Sequence, residues 1–127
     1  FSDASDALLH FVGMDDEYRA LNFSFYTVET HIRHLNEVGG SEPLIVETQL
    51  IGFDEKRIRI NHVLIHSTSR NTLATGEHML LHVNTEKGHA VQMGKIIYEK
   101  IEKIWEGHQN LAIPEYAGKG IMQLKKL

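Results

Sequence analysis

The spacing of apolar residues along the chain changes near residue 23. Before that point the apolar positions recur at helical spacing, and the pattern predicts one helix over residues 2–12 and a short second helix from residue 15. After it, β-branched and aromatic residues predominate, which is typical of strands. The predicted strands cover residues 23–35, 44–53, 57–67 and 72–84, with a short fifth strand at 89–93.

Short polar turns at residues 54–56 and 68–71 join the predicted strands. Links this short predict antiparallel hairpins, because parallel strands need long crossovers. A last helix is predicted over residues 94–106, where Ile97 and Ile101 belong to one apolar stripe. The sequence therefore predicts an α+β domain at residues 1–106, with the first helix covering the sheet, followed by an irregular extension at 107–127.

Composition excludes several classes of function. The 127 residues carry a formal net charge of -4, which is not the electrostatic footprint of a general nucleic-acid-binding protein. The chain has no cysteine, so a disulfide framework and a thiolate nucleophile are excluded. No apolar run approaches the roughly 20 residues of a membrane span. We therefore expect no membrane or nucleic-acid partner. The absence of cysteine does not fix the compartment, but nothing in the sequence suggests secretion, and we expect a cytoplasmic location.

Nine histidines raise the question of a metal site. His62 and His66, like His78 and His82, have the i, i+4 spacing of helical zinc ligands. On a strand that spacing separates two residues by about 13 Å, too far to share one zinc ion. We therefore expect no metal site, and expect these histidines at a solvated or partner-facing surface, with His62 close to His78 across a hairpin.

Two polar groups could carry chemistry. Glu29, His31 and Arg33 alternate along one strand face, and could act as a base, a proton carrier and an anion clamp. The same alternation is typical of an ordinary solvent face, which the pattern alone favours. The basic cluster of Lys56, Arg57 and Arg59 fits either phosphate binding or a solubilising turn.

Several segments in order resemble the hotdog-fold acyl-CoA thioesterases of the 4-hydroxybenzoyl-CoA thioesterase-like group. Residues 1–5 resemble the middle of the hotdog helix, and residues 27–35 resemble the strand that follows it. Residues 72–77 and 82–84 resemble the family's penultimate strand. The resemblance implies a hotdog fold, in which an antiparallel sheet wraps around a central helix, and places the family's first strand before Phe1.

The tail, residues 113–121, restricts the resemblance to a smaller group within this family. Together with residues 26–34, 50–57 and 74–83, residues 113–121 are similar to the betainyl-CoA thioesterases that accompany carnitine dehydrogenase or are fused to it. Lys119 stands where that group is expected to have arginine. The resemblance implies hydrolysis of a small acyl-CoA thioester, without a cofactor, and a possible partnership with carnitine dehydrogenase.

The resemblance also implies a mechanism and candidate residues. In this family a carboxylate activates water or attacks the thioester, and amides at a helix N-terminus stabilise the oxyanion. The usual acid lies in the turn before the helix, which would precede Phe1, so that role cannot be assigned. Asp3, Glu29 and His31 become the catalytic candidates.

Substrate binding and assembly follow from the same resemblance. Lys56, Arg57 and Arg59 would hold the CoA phosphates, and a trimethylammonium group would contact residues drawn from Tyr26, Glu29 and Trp105. The thioester arm would lie at a subunit interface, which implies a homodimer or homotetramer. Two alternatives stay open: a hydratase or dehydratase, and a non-catalytic module for acyl-CoA binding or oligomerisation.

Overall fold

The structure is a computed structural model that describes residues 1–37, 43–122 and 124. The elements follow the predicted order, and the loop expected at residues 39–43 lies, except for Pro43, outside the described residues. The elements are α1 (Ser2–Phe11), α2 (Asp16–Ala20), β1 (Phe23–His34), β2 (Leu44–Phe53), β3 (Arg57–His66), β4 (Thr72–Asn84), β5 (His89–Ala90) and α3 (Lys95–His108).

The strands form one antiparallel sheet in the order β1-β4-β3-β2. β5 pairs with the end of β4 and is only two residues long, shorter than the predicted strand at 89–93. The turn between β2 and β3 is fixed by the carboxylate of Asp54, which accepts hydrogen bonds from the backbone N–H groups of Lys56 and Arg57. The α+β prediction is confirmed.

Two helices cover the same face of the sheet. Leu9 and Val12 of the α1 region pack in one apolar cluster with Ile97 and Ile101 of α3 and with apolar residues of β1 to β4. The sequence predicted α1 as the cover but did not place α3. Gly13, just after α1, lies against α3: a Cβ at this position would be 3.6 Å from Ile97 Cγ1. Its φ of +109° favours glycine.

The sheet therefore has an inner face, towards α1 and α3, and an outer face. Residues paired directly across antiparallel strands point to the same face. Ile60 pairs with His78, and Ile60 belongs to the core, so His78 points inwards. Glu29 and Arg59 both pair with Met79, one position further along β4, so all three point outwards.

The last helix ends at His108, two residues beyond the prediction, and His108 Nδ1 accepts a hydrogen bond of 2.9 Å from the Leu50 backbone N–H. Beyond it, residues 109–122 form turns and bends, as predicted. The division between domain and extension at residue 106 stays a prediction. None of the described helices combines the length and apolar composition that crossing a membrane requires.

Candidate functional site

The structure places the predicted catalytic residues on two sides of the sheet. Glu29 and His31 follow a β-bulge in β1 and pair with Met79 and Glu77 of β4 on the outer face. Asp3 lies in the first turn of α1, on the helix side, and is exposed. Layers packed on a sheet lie about 10 Å from it, so Asp3 and Glu29 of one protomer do not meet.

An outer cavity of about 330 Å³ contains three of the predicted residues: Glu29, His31 and Arg59. Its other lining residues include Glu77, Met79 and the tail segment 118–120. The Nδ1 atom of His31 is buried and has no hydrogen-bond partner among the described residues. Glu29 and His31 of the predicted strand face thus border a cavity, in which Glu29 is exposed.

The tail segment 118–120 forms one wall of the outer cavity, and Glu77 of β4 holds it there. This carboxylate accepts hydrogen bonds from Arg59 at 3.0 and 2.8 Å and from the Gly118 backbone N–H at 3.0 Å. Gly118 has a φ of +78°, and a Cβ there would lie 2.9 Å from Arg59 Nη2, so this position requires glycine. Tyr116 adds a second attachment, because its hydroxyl accepts a 2.8 Å hydrogen bond from Asn61.

The basic hairpin is less free than the sequence suggests. Arg57 donates to Asp54 Oδ2 at 2.9 and 2.6 Å, and these hydrogen bonds lower the pKa of the Asp54 carboxyl. Arg59 is paired with Glu77. Within the described parts of the chain, Lys56 has no ion pair, and it lines an exposed groove of about 420 Å³ with Arg57. Lys56 is therefore the hairpin cation most available to a phosphate.

Trp105 lies on the other side of the sheet from Tyr26 and Glu29, so within one protomer it cannot share a cation site with either of them. Its indole packs edge-on against Phe53, with ring centroids 6.0 Å apart, on the core side of the sheet. Tyr26 pairs with Leu81 on the outer face and is half exposed. The two aromatic side chains lie on opposite sides of the sheet.

The expectation that the strand histidines are solvated is wrong for three of them. His62 and His82 are 0 % exposed and His78 is 8 % exposed. His62 Nε2 lies 2.8 Å from Ser5 Oγ, and its Nδ1 lies 2.7 Å from Thr48 Oγ1. A neutral imidazole can donate at one nitrogen and accept at the other, so this position is fully hydrogen-bonded.

The predicted proximity of His62 and His78 is correct, with ring centroids 5.4 Å apart. Burial, together with a smaller effect of the neighbouring His78, lowers the pKa of His62 to about 4. Burial also lowers the pKa of His78 and of His82. All three rings are therefore neutral at neutral pH. Among the described residues, no three metal-ligating side chains converge.

An inner cavity of about 360 Å³ lies between α1 and β1. His78 forms part of its wall, and Thr30 Oγ1 lies 3.1 Å from His78 Nδ1. The other ring nitrogen, His78 Nε2, is buried without a partner among the described residues. The sequence contained one usable signal, since His62 has the same strand parity as the core residues Ile58 and Ile60.

Comparison with known proteins agrees with the resemblance. The profile of the Thioesterase-like superfamily matches residues 1–113. The chain is 44% identical, over 97% of its length, to the L-carnitine dehydrogenase/betainyl-CoA thioesterase of Agrobacterium fabrum, but spans only 25% of that relative. It is 37% identical to the betainyl-CoA thioesterase of Pseudomonas aeruginosa, covering 95% of this chain and 77% of that one.

A solved structure shows the same architecture. A candidate thioesterase from Pseudomonas putida KT2440 superposes with a TM-score of 0.78 and 31% identity, over 96% of this chain and 78% of the other. The curated relative from Agrobacterium is about four times as long as this chain. The match over nearly the whole chain nevertheless settles the family: the chain belongs to the thioesterase-like superfamily.

Proposed function

We propose that the protein hydrolyses a small acyl-CoA thioester, with betainyl-CoA as the leading substrate. The observation that carries the proposal is the 37% identity to a betainyl-CoA thioesterase, of which the chain spans 77%. In this reaction water adds its oxygen to the thioester carbonyl carbon, the C–S bond breaks, and the sulfur leaves as the CoA thiol after taking up a proton. The products are the free acid and CoA.

The basic hairpin is the proposed site for the CoA phosphates. Lys56 is exposed without an ion pair in the described structure, and Arg57 lies beside it in the same groove. Arg59 is on the same outer face and lines both the outer cavity and a smaller cavity that also contacts Arg57. Lys56 in the turn and Arg57 on β3 thus line one groove, Arg57 and Arg59 line the next cavity, and Lys56 is expected to contribute most.

Two carboxylates are proposed as alternatives for activating water. Glu29 lies beside the half-buried His31 in the outer cavity, where the imidazole could carry the proton. Asp3 lies on the helix side, near the start of α1. Because the sheet separates them, Glu29→Gln and Asp3→Asn discriminate the two. The variant that removes the base should lose about 10²- to 10⁴-fold in kcat, and Glu17→Gln on α2 is a control of equal charge change.

A homodimer or homotetramer belongs to the same proposal. β1 is an edge strand of 12 residues, and in the described structure only β4 pairs with it. Val28 and Ile32 on this strand are 50% and 43% exposed. A long, partly apolar edge strand is a template for pairing with another chain, and a second copy would cover it.

Association with carnitine dehydrogenase and a cytoplasmic location complete the proposal. The support for the first is that the name of the Agrobacterium relative joins L-carnitine dehydrogenase and betainyl-CoA thioesterase in one protein. Co-purification of a tagged full-length protein with dehydrogenase activity tests it. A full-length protein that itself oxidises carnitine would show that the two activities share a chain.

The direct test is a thiol-release assay on the full-length protein with a panel of acyl-CoA esters. Rapid CoA release from betainyl-CoA, with slower release from long-chain esters, supports the proposal. Tight binding of an ester without any CoA release would support the non-catalytic module instead. Consumption of an enoyl-CoA without thiol release would support a hydratase.

A further inference from the structure

The turn between β2 and β3 is attached to the short segment that leads into α3, residues 91–94. The backbone N–H of Met93 donates a 2.8 Å hydrogen bond to the carbonyl oxygen of Glu55 in the turn. The side-chain amide of Gln92 donates to Glu55 Oε2. Glu55 is therefore held through both its backbone and its carboxylate, by a part of the chain that the proposed function has not used.

The segment itself is anchored by His82, which is 0 % exposed. The Val91 N–H donates to the His82 carbonyl oxygen at 3.1 Å, and His82 Nδ1 donates to the Val91 carbonyl oxygen at 2.9 Å. Because a carbonyl oxygen only accepts, Nδ1 carries the hydrogen, and Nε2 accepts from the Tyr18 hydroxyl at 2.6 Å. That hydroxyl accepts a 3.3 Å hydrogen bond from the Gly94 N–H. Both ends of the segment are fixed, and Gln92 lies between them.

Glu55 and Lys56 carry opposite charges and line the same exposed groove. Opposite charges on adjacent exposed side chains attract each other. In the described structure, however, Lys56 has no ion pair, and the Glu55 carboxylate accepts its hydrogen bond from Gln92 instead. The contact with Gln92 therefore leaves the Lys56 ammonium free for another anion.

The charge balance of the groove decides how well it holds a phosphate. Asp54 engages Arg57 through two hydrogen bonds to Oδ2, so Lys56 supplies the uncompensated positive charge. A Glu55 carboxylate that turned to Lys56 would neutralise this charge and repel a phosphate. The Gln92 amide is uncharged, so it holds the carboxylate without bringing a second anion to the groove.

We propose that Gln92 is a positioning residue for CoA: by holding the Glu55 carboxylate, it keeps the Lys56 ammonium free for a CoA phosphate. The inference rests on the proposed phosphate role of the basic hairpin. It is independent of the acyl group and of the carboxylate that activates water. The positioning acts on ligands that carry the nucleotide phosphates and not on their pantetheine counterparts.

Titration calorimetry with CoA tests the inference on the full-length protein. Gln92→Ala should raise the Kd about twofold to fivefold, the range of an exposed ion pair, and should weaken the dependence of Kd on salt. Adding Glu55→Gln to this variant should restore the wild-type Kd or a lower one, because no carboxylate is left to pair with Lys56. Gln109→Ala, at an exposed glutamine that ends α3, is the matched control and should bind CoA as the wild type does.

Kinetics with two esters separate positioning from a general loss of structure. Gln92→Ala should raise KM for betainyl-CoA by the same factor as the Kd and leave kcat unchanged. With betainyl-pantetheine, which lacks the nucleotide and its phosphates, KM and kcat should both match the wild type. A glutamine with a purely structural role would instead lower the thermal midpoint and affect both esters equally.

The outcomes separate the inference from the proposed function. An unchanged Kd for CoA in Gln92→Ala, or a raised Kd that Glu55→Gln does not reverse, overturns the inference while hydrolysis stands. Equal KM values of the wild type for betainyl-CoA and betainyl-pantetheine overturn the phosphate role of the hairpin, and the inference with it. If the wild type binds CoA with the expected response to both variants but releases no thiol from any ester, the proposed hydrolysis fails and the inference stands.

Discussion

Acid should destabilise the fold through His62, whose imidazole is fully buried between Ser5 and Thr48. Burial, together with a smaller effect of the neighbouring His78, lowers the pKa of this imidazole to about 4 from its ordinary value of 6.5. Between these pH values the unfolded chain binds a proton that the folded chain does not. Stability is therefore greatest above pH 6.5 and falls as the pH decreases towards 4.

The size of this effect follows from the difference in pKa. Each pKa unit corresponds to 1.36 kcal/mol, so the shift of His62 amounts to about 3 kcal/mol of unfolding free energy across the window. The lowered pKa values of His78 and His82 act in the same direction. For a domain whose total stability is about 5–15 kcal/mol, this loss is large.

Urea unfolding followed by circular dichroism between pH 7.5 and 4.5 measures the effect. His62→Gln removes one titrating group and should make the plot of unfolding free energy against pH shallower by up to about 1.4 kcal/mol per pH unit. His34→Gln is the control, because His34 is exposed, and its slope should match the wild type. An unchanged slope in His62→Gln would refute the assignment of the acid sensitivity to this buried ring.

Three further predictions concern the hairpin, the tail and the helix contact. Lys56→Ala combined with Arg57→Ala should raise KM for a CoA ester severalfold and reduce its salt dependence, with the fold intact; an unchanged KM would reject the phosphate role. Gly118→Ala should release the tail, because a Cβ there meets Arg59 Nη2 at 2.9 Å, and limited proteolysis should then cleave near residue 118 faster than in the wild type. Gly76→Ala should lower the free energy of unfolding by about 1–3 kcal/mol, because the new Cβ would lie 2.8 Å from the phenyl ring of Phe1 at the start of α1. A thermal midpoint equal to that of the wild type would contradict this contact.

Element type and order could be predicted from the sequence because the period of apolar residues changes clearly and the turns are short. The covering role of α3 could not, since one apolar stripe shows that Ile97 and Ile101 are buried but not which sheet face receives them. Pairing register could be anticipated locally, and it placed His62 near His78. Register within a hairpin does not determine which face the helices cover.

In the candidate site, too, features that depend on one strand could be predicted, and features that depend on contacts between distant segments could not. Alternation along β1 correctly grouped Glu29 with His31, because two-residue periodicity is a property of the strand itself. The separation of Trp105 from Tyr26 depends on the position of a helix distant in sequence. A polar side chain that a helix covers, such as His78, cannot be distinguished in the sequence from one that faces solvent, because alternation does not reveal which face of the sheet the helices cover.

CoA release from betainyl-CoA by the purified full-length protein is the measurement on which the proposed acyl-CoA thioester hydrolysis depends. We expect stoichiometric formation of free thiol and betaine, with turnover that exceeds the uncatalysed rate by orders of magnitude. Absence of thiol above the rate of buffer alone, from betainyl-CoA and from the other small acyl-CoA esters, would contradict it.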